Sequence, residues 1–332
     1  MKAGRSLPRW ALGLVVVGGC AGPRWLGAAD SGGTPAASSP ASDETGDWFE
    51  VARQWFEVFA PAEVKAQYEF PTREQWDSGV RRWQHALEGD SLAEMAALAA
   101  EARSTLGALR LMPGTEDVAD WLEQRLDEME GAQQATRPPA LPPGPQPPLR
   151  PEVTRPGAAQ PVPHYNLWLA RVRSRPPPPR AKELMPRLQT AFRAEGVPVE
   201  LAWLAEAESS LNPSARSPVG AKGLFQFMPE TARAMGLRTF LPDERTDPER
   251  SARAAARYLR TLHGRFGNWA LVLAAYNAGE GRVGRTLAAK QAATFTAIAN
   301  DLPAETRMYV PKVCALIAAR TGVTPDRIAP PR

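Results

Sequence analysis

The sequence contains little cysteine and little histidine, and this scarcity limits the chemistry open to it. Its 332 residues include two cysteines, Cys20 and Cys314, and three histidines that lie far apart in the chain. Two cysteines cannot build a disulfide framework or a cysteine-based zinc site. No histidine lies at metal-ligand spacing from another one. We therefore expect neither a metal nor a cofactor.

Long apolar runs and nucleic-acid-binding motifs are also lacking. The first apolar stretch, residues 10–17, is far shorter than the roughly 20 residues of a membrane-spanning helix. The net charge is +4, but no recognisable motif accompanies it, so we expect no nucleic-acid partner. The 26 glycines follow no three-residue period, which excludes a collagen-like chain. Hydrophobic residues make up 43% of the chain, enough for a sizeable core in about two domains.

The first residues have the pattern of a secretory signal. A basic start is followed by the apolar run and then by Gly18-Gly19-Cys20. The stretch Val17-Gly18-Gly19-Cys20 resembles a bacterial lipobox, which implies a lipoprotein signal peptide over residues 1–19 and a lipid anchor on Cys20. Ala21 after the cysteine implies sorting to the outer membrane of a Gram-negative bacterium, facing the periplasm. The alternative is an ordinary signal peptide with an incidental cysteine.

Two segments of biased composition separate the regions that can fold. Residues 20–46 are rich in Ala, Gly, Ser, Thr and Pro and are typical of a flexible tether. Residues 136–163 hold 11 prolines in 28 positions, so this stretch cannot form the interior of a helix or sheet. We expect an extended Pro-rich linker that, with its lead-in, covers residues 136–180. It is either a passive spacer or one that sets the reach from a membrane to a substrate.

Residues 47–135 predict an acidic helical domain of unknown role. The span 43–135 holds 20 Asp and Glu against 8 Lys and Arg, a net charge of −12, whereas residues 181–332 have a net charge of +7. Apolar residues at helical spacing predict a small bundle, and aromatic residues in such a pattern form a core more often than they bind sugar. One such face consists of Trp76, Val80, Trp83 and Leu87, and another consists of Val118, Trp121, Leu122, Leu126 and Met129. The acidic surface is solvated, docks on the basic C-terminal region or binds a protein partner, and the sequence leaves these three open.

The strongest single candidate for chemistry is Glu208. Residues 199–210 predict one short helix, which is preceded by Pro198 and followed by Asn212-Pro213. Glu208 falls on the apolar stripe of this helix, whereas Glu206 falls on the opposite side. A carboxylate on a buried face has a raised pKa, which suits a general acid. The alternative is a structural glutamate paired with a nearby arginine.

Several motifs follow Glu208 in a fixed order and carry a family resemblance. They are Ser217-Pro218-Val219-Gly220-Ala221, Gly223-Leu224-Phe225-Gln226, Met228-Pro229, Ala275-Tyr276-Asn277-Ala278-Gly279, Glu305-Thr306-Arg307 and Tyr309-Val310-Pro311-Lys312. Together they resemble the catalytic domain of the soluble-type (SLT) lytic transglycosylases, glycoside hydrolase family 23. The resemblance implies an all-α, lysozyme-like catalytic domain over residues 181–325, preceded by the small helical bundle and joined to it by the Pro-rich linker.

The resemblance also implies a reaction and its residues. Enzymes of this family act on peptidoglycan glycan strands and cleave the β-1,4 bond between N-acetylmuramic acid and N-acetylglucosamine without water, leaving a 1,6-anhydro end. Glu208 matches the single acid and base. The implied substrate-binding residues are Ser209, Ser217, Gly223, Gln226, Met228, Tyr276, Asn277 and Tyr309.

Other interpretations of the same residues stay open at this point. Met228 and Tyr309 could serve packing alone. A lysozyme-type hydrolase of the same fold needs a second carboxylate, for which Asp243, Glu244 and Asp247 are available, although Asp247 better suits a helix cap. A third possibility is a lipid-anchored scaffold that binds the cell wall with an idle cleft.

Overall fold

The computed structural model describes part of the chain, namely residues 48–67, 69–112, 114–138 and 162–332. The predicted signal peptide, Cys20, the tether and most of the Pro-rich linker lie outside these residues. Within the described ranges the regular structure is helical and contains no β-strand, which confirms the predicted all-α class. No helix in this part of the chain is long and apolar enough to cross a bilayer.

The N-terminal region is a succession of helices with clear local start signals. It consists of α1 (Trp48–Phe59), α2 (Ala62–Gln67), α3 (Arg73–Glu88), α4 (Leu92–Ala97), α5 (Ala99–Leu109) and α6 (Glu116–Thr136). Thr72 accepts a hydrogen bond from the backbone N–H of Gln75, and the Gln75 side chain accepts one from the N–H of Thr72, which is a capping box for α3. Ser91 caps α4 through the N–H of Glu94. The boundaries 47–135 stay a prediction.

The C-terminal region is a longer succession of helices. It consists of α7 (Tyr165–Arg173), α8 (Ala181–Ala194), α9 (Leu204–Ser209), α10 (Pro229–Ala234), α11 (Pro248–Phe266), α12 (Trp269–Ala278), α13 (Glu280–Lys290), α14 (Phe295–Ile298) and α15 (Ala304–Thr321). Asp247 accepts hydrogen bonds from the N–H groups of Glu249 and Arg250 at the start of α11, and Pro248 occupies its first turn. Asp247 therefore has the capping role that the sequence favoured.

The segment that carries Glu208 differs in detail from the single helix predicted over residues 199–210. A 3₁₀ turn covers Val199–Trp203, and the α-helix α9 begins only at Leu204. Ser210, with φ of 50°, ends α9 in the left-handed conformation. Apolar spacing over so few residues does not separate a 3₁₀ turn from an α-helical one, because both place residues i and i+3 on neighbouring faces.

One hydrophobic core runs through both regions. Buried side chains of α3 to α6 belong to the same cluster as those of α7 to α15, and α15 packs against α6, α7 and α12. The approach of α6 to α7 is close, because a Cβ added to Gly131 would lie 2.6 Å from the Trp168 ring. Only the first helices have a separate small cluster, which includes Phe56, Val64 and Met112. The N-terminal helices are thus built onto the C-terminal ones.

Ion pairs join the two regions as well. The Asp127 carboxylate of α6 accepts hydrogen bonds from Arg171 at 2.7 Å and from Arg175 at 2.7 and 3.0 Å. Next to it, the Lys312 ammonium of α15 donates to Glu128 at 3.2 Å, and both side chains are buried. Of the three uses considered for the acidic surface, docking within the chain is the one observed for these residues.

Candidate active site

A cleft with a volume of about 270 Å³ lies where the two regions meet. The C-terminal region contributes Glu208, the loop after it and parts of α12 and α15, and the N-terminal region contributes residues of α3 and α6. Among the predicted site residues, five line the cleft with Glu208. They are Ser217, Gln226, Met228, Tyr276 and Asn277.

Glu208 lies in the last turn of α9 with its carboxyl partly buried at the cleft. Burial raises its pKa to about 7, although a hydrogen bond from Tyr309 and the charge of Arg125 oppose the rise. The carboxylates of Glu128 and Glu305 raise it further by repulsion. Near neutral pH such a group is present in both protonation states, so it can donate and later accept a proton.

Tyr309 supports Glu208 from behind the cleft. Its side chain is only 2% exposed, and its hydroxyl donates a hydrogen bond to Oε1 of Glu208. Burial raises the pKa of Tyr309 well above 10, so the hydroxyl remains a donor. The residue does not line the cleft itself, and its hydrogen bond makes it a positioning residue for the acid.

Tyr276 connects α12 to the loop that follows Glu208. Its hydroxyl donates to the carbonyl oxygen of Phe225 at 2.8 Å, and its ring lies 5.5 Å from the ring of Tyr258. Both rings line the cleft. They offer apolar faces of the kind on which sugar rings pack.

The loop from Ser217 to Met228 is held by hydrogen bonds to its own backbone. The Ser217 hydroxyl accepts from the N–H of Ala221 at 3.0 Å, and the Gln226 amide donates to the carbonyl of Gly223 at 2.9 Å. Gly223 has a φ of +80°, and a Cβ there would lie 1.8 Å from the carbonyl oxygen of Arg245. Only glycine fits this position, which supports the loop from beneath.

Ser209 also lies beneath the cleft. It is 2% exposed, and its hydroxyl is 3.0 Å from the carbonyl oxygens of both Ala205 and Leu224. In this position it ties α9 to the loop after it. Ser209 and Gly223 therefore shape the surface that Ser217, Gln226 and Met228 present to the cleft.

The structure adds a charged network that sequence reasoning missed. The Arg125 guanidinium of α6, 14% exposed, donates to Glu305 at 2.5 Å and to Glu128 at 2.8 Å. The Asn277 amide donates to the same Glu305 carboxylate at 3.2 Å, and the hydroxyl of Thr306 donates to the Asn277 carbonyl oxygen at 2.7 Å. The Glu305-Thr306-Arg307 motif pointed to two members of this network, Glu305 and Thr306. Nothing in the sequence connected Arg125 to it.

The three residues considered as second carboxylates are engaged elsewhere. Asp243 is paired with Lys222 at 2.9 Å and with Arg245 at 2.8 Å. Glu244 is held by arginine side chains, and Asp247 caps α11. None of the three lines the cleft. Glu305 and Glu88 are the carboxylates that share its lining with Glu208.

Cys314 and the acidic and histidine side chains offer no further reactive centre within the described ranges. Cys314 is buried in α15, and burial raises the pKa of its thiol to about 12, so it is inert as a nucleophile. Within the described ranges, no cluster of three or more His, Cys, Asp and Glu side chains is arranged to hold a metal ion.

Part of the C-terminal region matches a known protein family. Residues 188–298 match the family model described as the transglycosylase SLT domain. This match covers about a third of the chain and confirms the resemblance that the motifs carry.

The comparison with individual proteins is more specific. The chain is 37% identical over 143 residues to membrane-bound lytic murein transglycosylase D of Escherichia coli, which covers 41% of this chain and 31% of that protein. The Tyr309-Val310-Pro311-Lys312 stretch resembles the same protein. Soluble lytic murein transglycosylase of Salmonella typhimurium is 40% identical over 121 residues, 34% of this chain and 19% of that protein. The chain therefore spans less than a third of the length of either relative.

Among solved structures, the 70 kDa soluble lytic transglycosylase of Escherichia coli aligns with 85% of this chain and 44% of its own. The TM-score is 0.38 and the sequence identity is 21%.

Proposed function

We propose that this protein is a peptidoglycan lytic transglycosylase with Glu208 as its single general acid and base. The observation that carries the proposal is the position of Glu208. Its carboxyl lies at the cleft, has a pKa raised to about 7 and accepts a hydrogen bond from the buried Tyr309 hydroxyl. The two relatives described above are both named lytic murein transglycosylases, which supports the substrate class.

The chemistry requires one carboxyl to act twice. Protonated Glu208 donates its proton to the glycosidic oxygen as the bond from C1 of N-acetylmuramic acid to N-acetylglucosamine breaks. The resulting carboxylate then accepts the proton of the muramic C6 hydroxyl, whose oxygen bonds to C1 and closes the 1,6-anhydro ring. Glu208 ends protonated, no water is consumed, and the enzyme is ready for another cycle.

The cleft-lining residues have roles that follow from their groups. Ser217, Gln226 and Asn277 present hydroxyl and amide groups able to hydrogen-bond the hydroxyl and N-acetyl groups of sugars. Tyr276 and Met228 present apolar surface to the rings. Tyr309 orients Glu208, and Ser209 and Gly223 support the loop.

A lysozyme-type hydrolase is the second candidate, and Glu305 is the observation that favours it. This carboxylate lies in the same cleft as Glu208, where it could activate a water molecule. Its hydrogen bonds to Arg125 and Asn277 instead suit a fixed structural partner. The products of the reaction separate the two candidates.

The test is digestion of purified peptidoglycan by the full chain, with mass spectrometry of the released fragments. We expect fragments lighter than hydrolysis products by one water molecule. The Glu208→Gln variant should form none, whereas Glu183→Gln, an exposed carboxylate on α8, should match the unchanged chain. Reducing-end products would assign the hydrolase. If the unchanged, folded chain releases no products, the protein is instead a wall-binding scaffold with an idle cleft.

We also infer that the protein is an outer-membrane lipoprotein facing the periplasm, anchored by a lipid on Cys20. The lipobox resemblance supports this, and a relative is named membrane-bound. The test is membrane fractionation of a Gram-negative host that produces the chain. Cys20→Ser should move the protein from the outer-membrane to the soluble envelope fraction, and an unchanged distribution would contradict the anchor.

A further inference from the structure

We propose that helices α3 and α6 of the acidic region provide a second glycan-binding surface of the cleft, which holds sugar units of the strand beyond those at Glu208. The inference rests on the proposed function for its ligand. We call this surface the α3–α6 wall. It consists of Gln84, Leu87 and Glu88 of α3 together with Trp121 and Gln124 of α6.

The wall is continuous with the catalytic site. Its residues line the same cleft as Glu208, Tyr276 and Asn277, so a chain bound at Glu208 can extend along it. The spacing of the residues agrees, because positions three or four apart on a helix lie on one face. Leu87 follows Gln84 in this way on α3, and Gln124 follows Trp121 on α6.

The chemistry of the wall matches a neutral, hydroxyl-rich and N-acetylated ligand. The Trp121 indole is half-buried at the cleft and has no hydrogen-bond partner among the described residues. The side-chain amides of Gln84 and Gln124 likewise make no hydrogen bond within the described part of the chain. An aromatic face beside two unused amides offers a sugar ring both packing and hydrogen bonds.

Trp83 shows the contrast within the same cleft. It is 3% exposed, and its indole N–H donates to Glu101 at 2.6 Å. A tryptophan fixed in this way supports the wall from behind. Trp121 keeps its polar edge and part of its ring for a ligand.

Most of the negative charge of the acidic region lies outside this wall, in which Glu88 is the one carboxylate. Asp127 and Glu128 of α6 lie against the C-terminal region, where arginine and lysine side chains pair with them. The part of α6 that faces the cleft carries Trp121, Gln124 and the cation of Arg125. Repulsion of an anionic polymer, which the overall charge of −12 suggested, is therefore small at this surface.

The wall is also fixed in place before any ligand binds. The backbone N–H of Ala304 at the start of α15 donates to the carbonyl of Gly89 after α3 at 2.7 Å. The Arg125–Glu305 pair fastens α6 to α15 on the other side. A preformed surface costs little conformational entropy on binding.

The experiment measures how much a longer glycan gains from the wall. The full chain with Glu208→Gln, which stops turnover, is titrated with the trimer and the hexamer of β-1,4-linked N-acetylglucosamine in a calorimeter. We expect the hexamer to bind more tightly than the trimer. Adding Trp121→Ala and Gln124→Ala should reduce that advantage about tenfold, whereas Trp121→Phe should retain most of it.

The controls separate this inference from the proposed function. Gln54→Ala, an exposed glutamine on α1, should leave the hexamer advantage unchanged. Circular dichroism checks that each variant is folded. An unchanged advantage in folded Trp121→Ala, or no binding of either oligomer, overturns the wall even if the unchanged chain digests peptidoglycan. A reduced advantage without digestion would overturn the proposed function and keep the wall.

Discussion

The acidic N-terminal helices and the basic C-terminal helices contribute to the same cleft with different kinds of residue. The C-terminal region supplies Glu208, the proposed acid, and the loop motifs around it. The N-terminal region supplies no motif, yet its Arg125 lies in the charged network next to Glu208 and its α3 and α6 line the cleft. The sequence motifs therefore point to Glu208, the residue proposed to react. The N-terminal segment that completes the cleft is recognised only from its ion pairs and from the core that it shares with the C-terminal region.

The largest effect is expected for Arg125→Ala, which removes the ion pair between α6 and α15. This change removes the cation that Glu128 and Glu305 share and leaves Lys312 as the cation beside the buried Glu128. We expect a loss of about 3 kcal/mol in the free energy of unfolding. Thermal and denaturant unfolding measure it. Arg103→Ala, which removes an exposed pair with Glu130, should cost less than about 1 kcal/mol. Equal losses would contradict the buried network.

Glu208→Gln tests whether the carboxyl at the cleft has the raised pKa that its burial predicts. Burial raises the pKa of Glu208 from 4.5 to about 7, so the folded chain loses stability as the pH rises through this window and Glu208 ionises. Glu208→Gln removes that loss. At pH 8 we expect the variant to be more stable than the unchanged chain by about 3 kcal/mol.

Denaturant unfolding at several pH values checks this expectation. The difference between Glu208→Gln and the unchanged chain should disappear toward pH 4. Glu183→Gln, on the exposed face of α8, is the matched control for removing a carboxylate outside the cleft. A difference that is constant with pH would show that Glu208 has an ordinary pKa.

The charge contact between the regions is tested by Asp127→Asn. Burial disfavours the Asp127 carboxylate, but Lys312 and Arg175 lower its pKa well below the usual range. Its stabilising contribution, about 2 kcal/mol, is present above the ordinary carboxyl pKa and is lost as the pH falls below it. Unfolding at neutral and acid pH measures the change. Asp120→Asn, in an exposed pair with Arg110, should matter little at either pH.

The smallest expected effect belongs to Tyr309→Phe. The hydroxyl lowers the pKa of Glu208, so its removal should raise that pKa by about one unit, equivalent to about 1.4 kcal/mol. The pH above which peptidoglycan cleavage declines should move upward, because the protonated acid persists to higher pH. Tyr258→Phe removes a hydroxyl from the same cleft and should leave the pH at which cleavage declines unchanged. If this pH is unchanged in Tyr309→Phe, Tyr309 contributes packing alone and does not position Glu208.

Part of this site was accessible from the sequence, for physical reasons. The prolines around α9 and the apolar stripe beneath Glu208 are local signals, and they predicted a carboxyl held at a buried face. The loop glycine Gly223 and the Asp247 cap are equally local. Each depends on residues within a few positions, where backbone geometry limits the outcome.

What the sequence did not predict depends on contacts between distant segments. Periodicity showed that α6 has a buried face but not that α15 covers it, so Arg125 could not be placed beside Glu305. The same pattern treated Trp76, Trp83 and Trp121 alike. The structure separates them, because Trp76 is a core residue whereas Trp121 reaches the cleft.

Two ion pairs between the N-terminal and the C-terminal helices join residues far apart along the chain. Arg125 and Glu305 are separated by 180 positions, and Glu128 and Lys312 by 184. Closing such loops is entropically costly and follows the formation of local helices during folding. We therefore expect the complete cleft to be among the last features to form, so that a partly folded chain that already has its helices would lack one side of it. Cleavage activity should return during refolding in the final phase, after the helical signal has recovered.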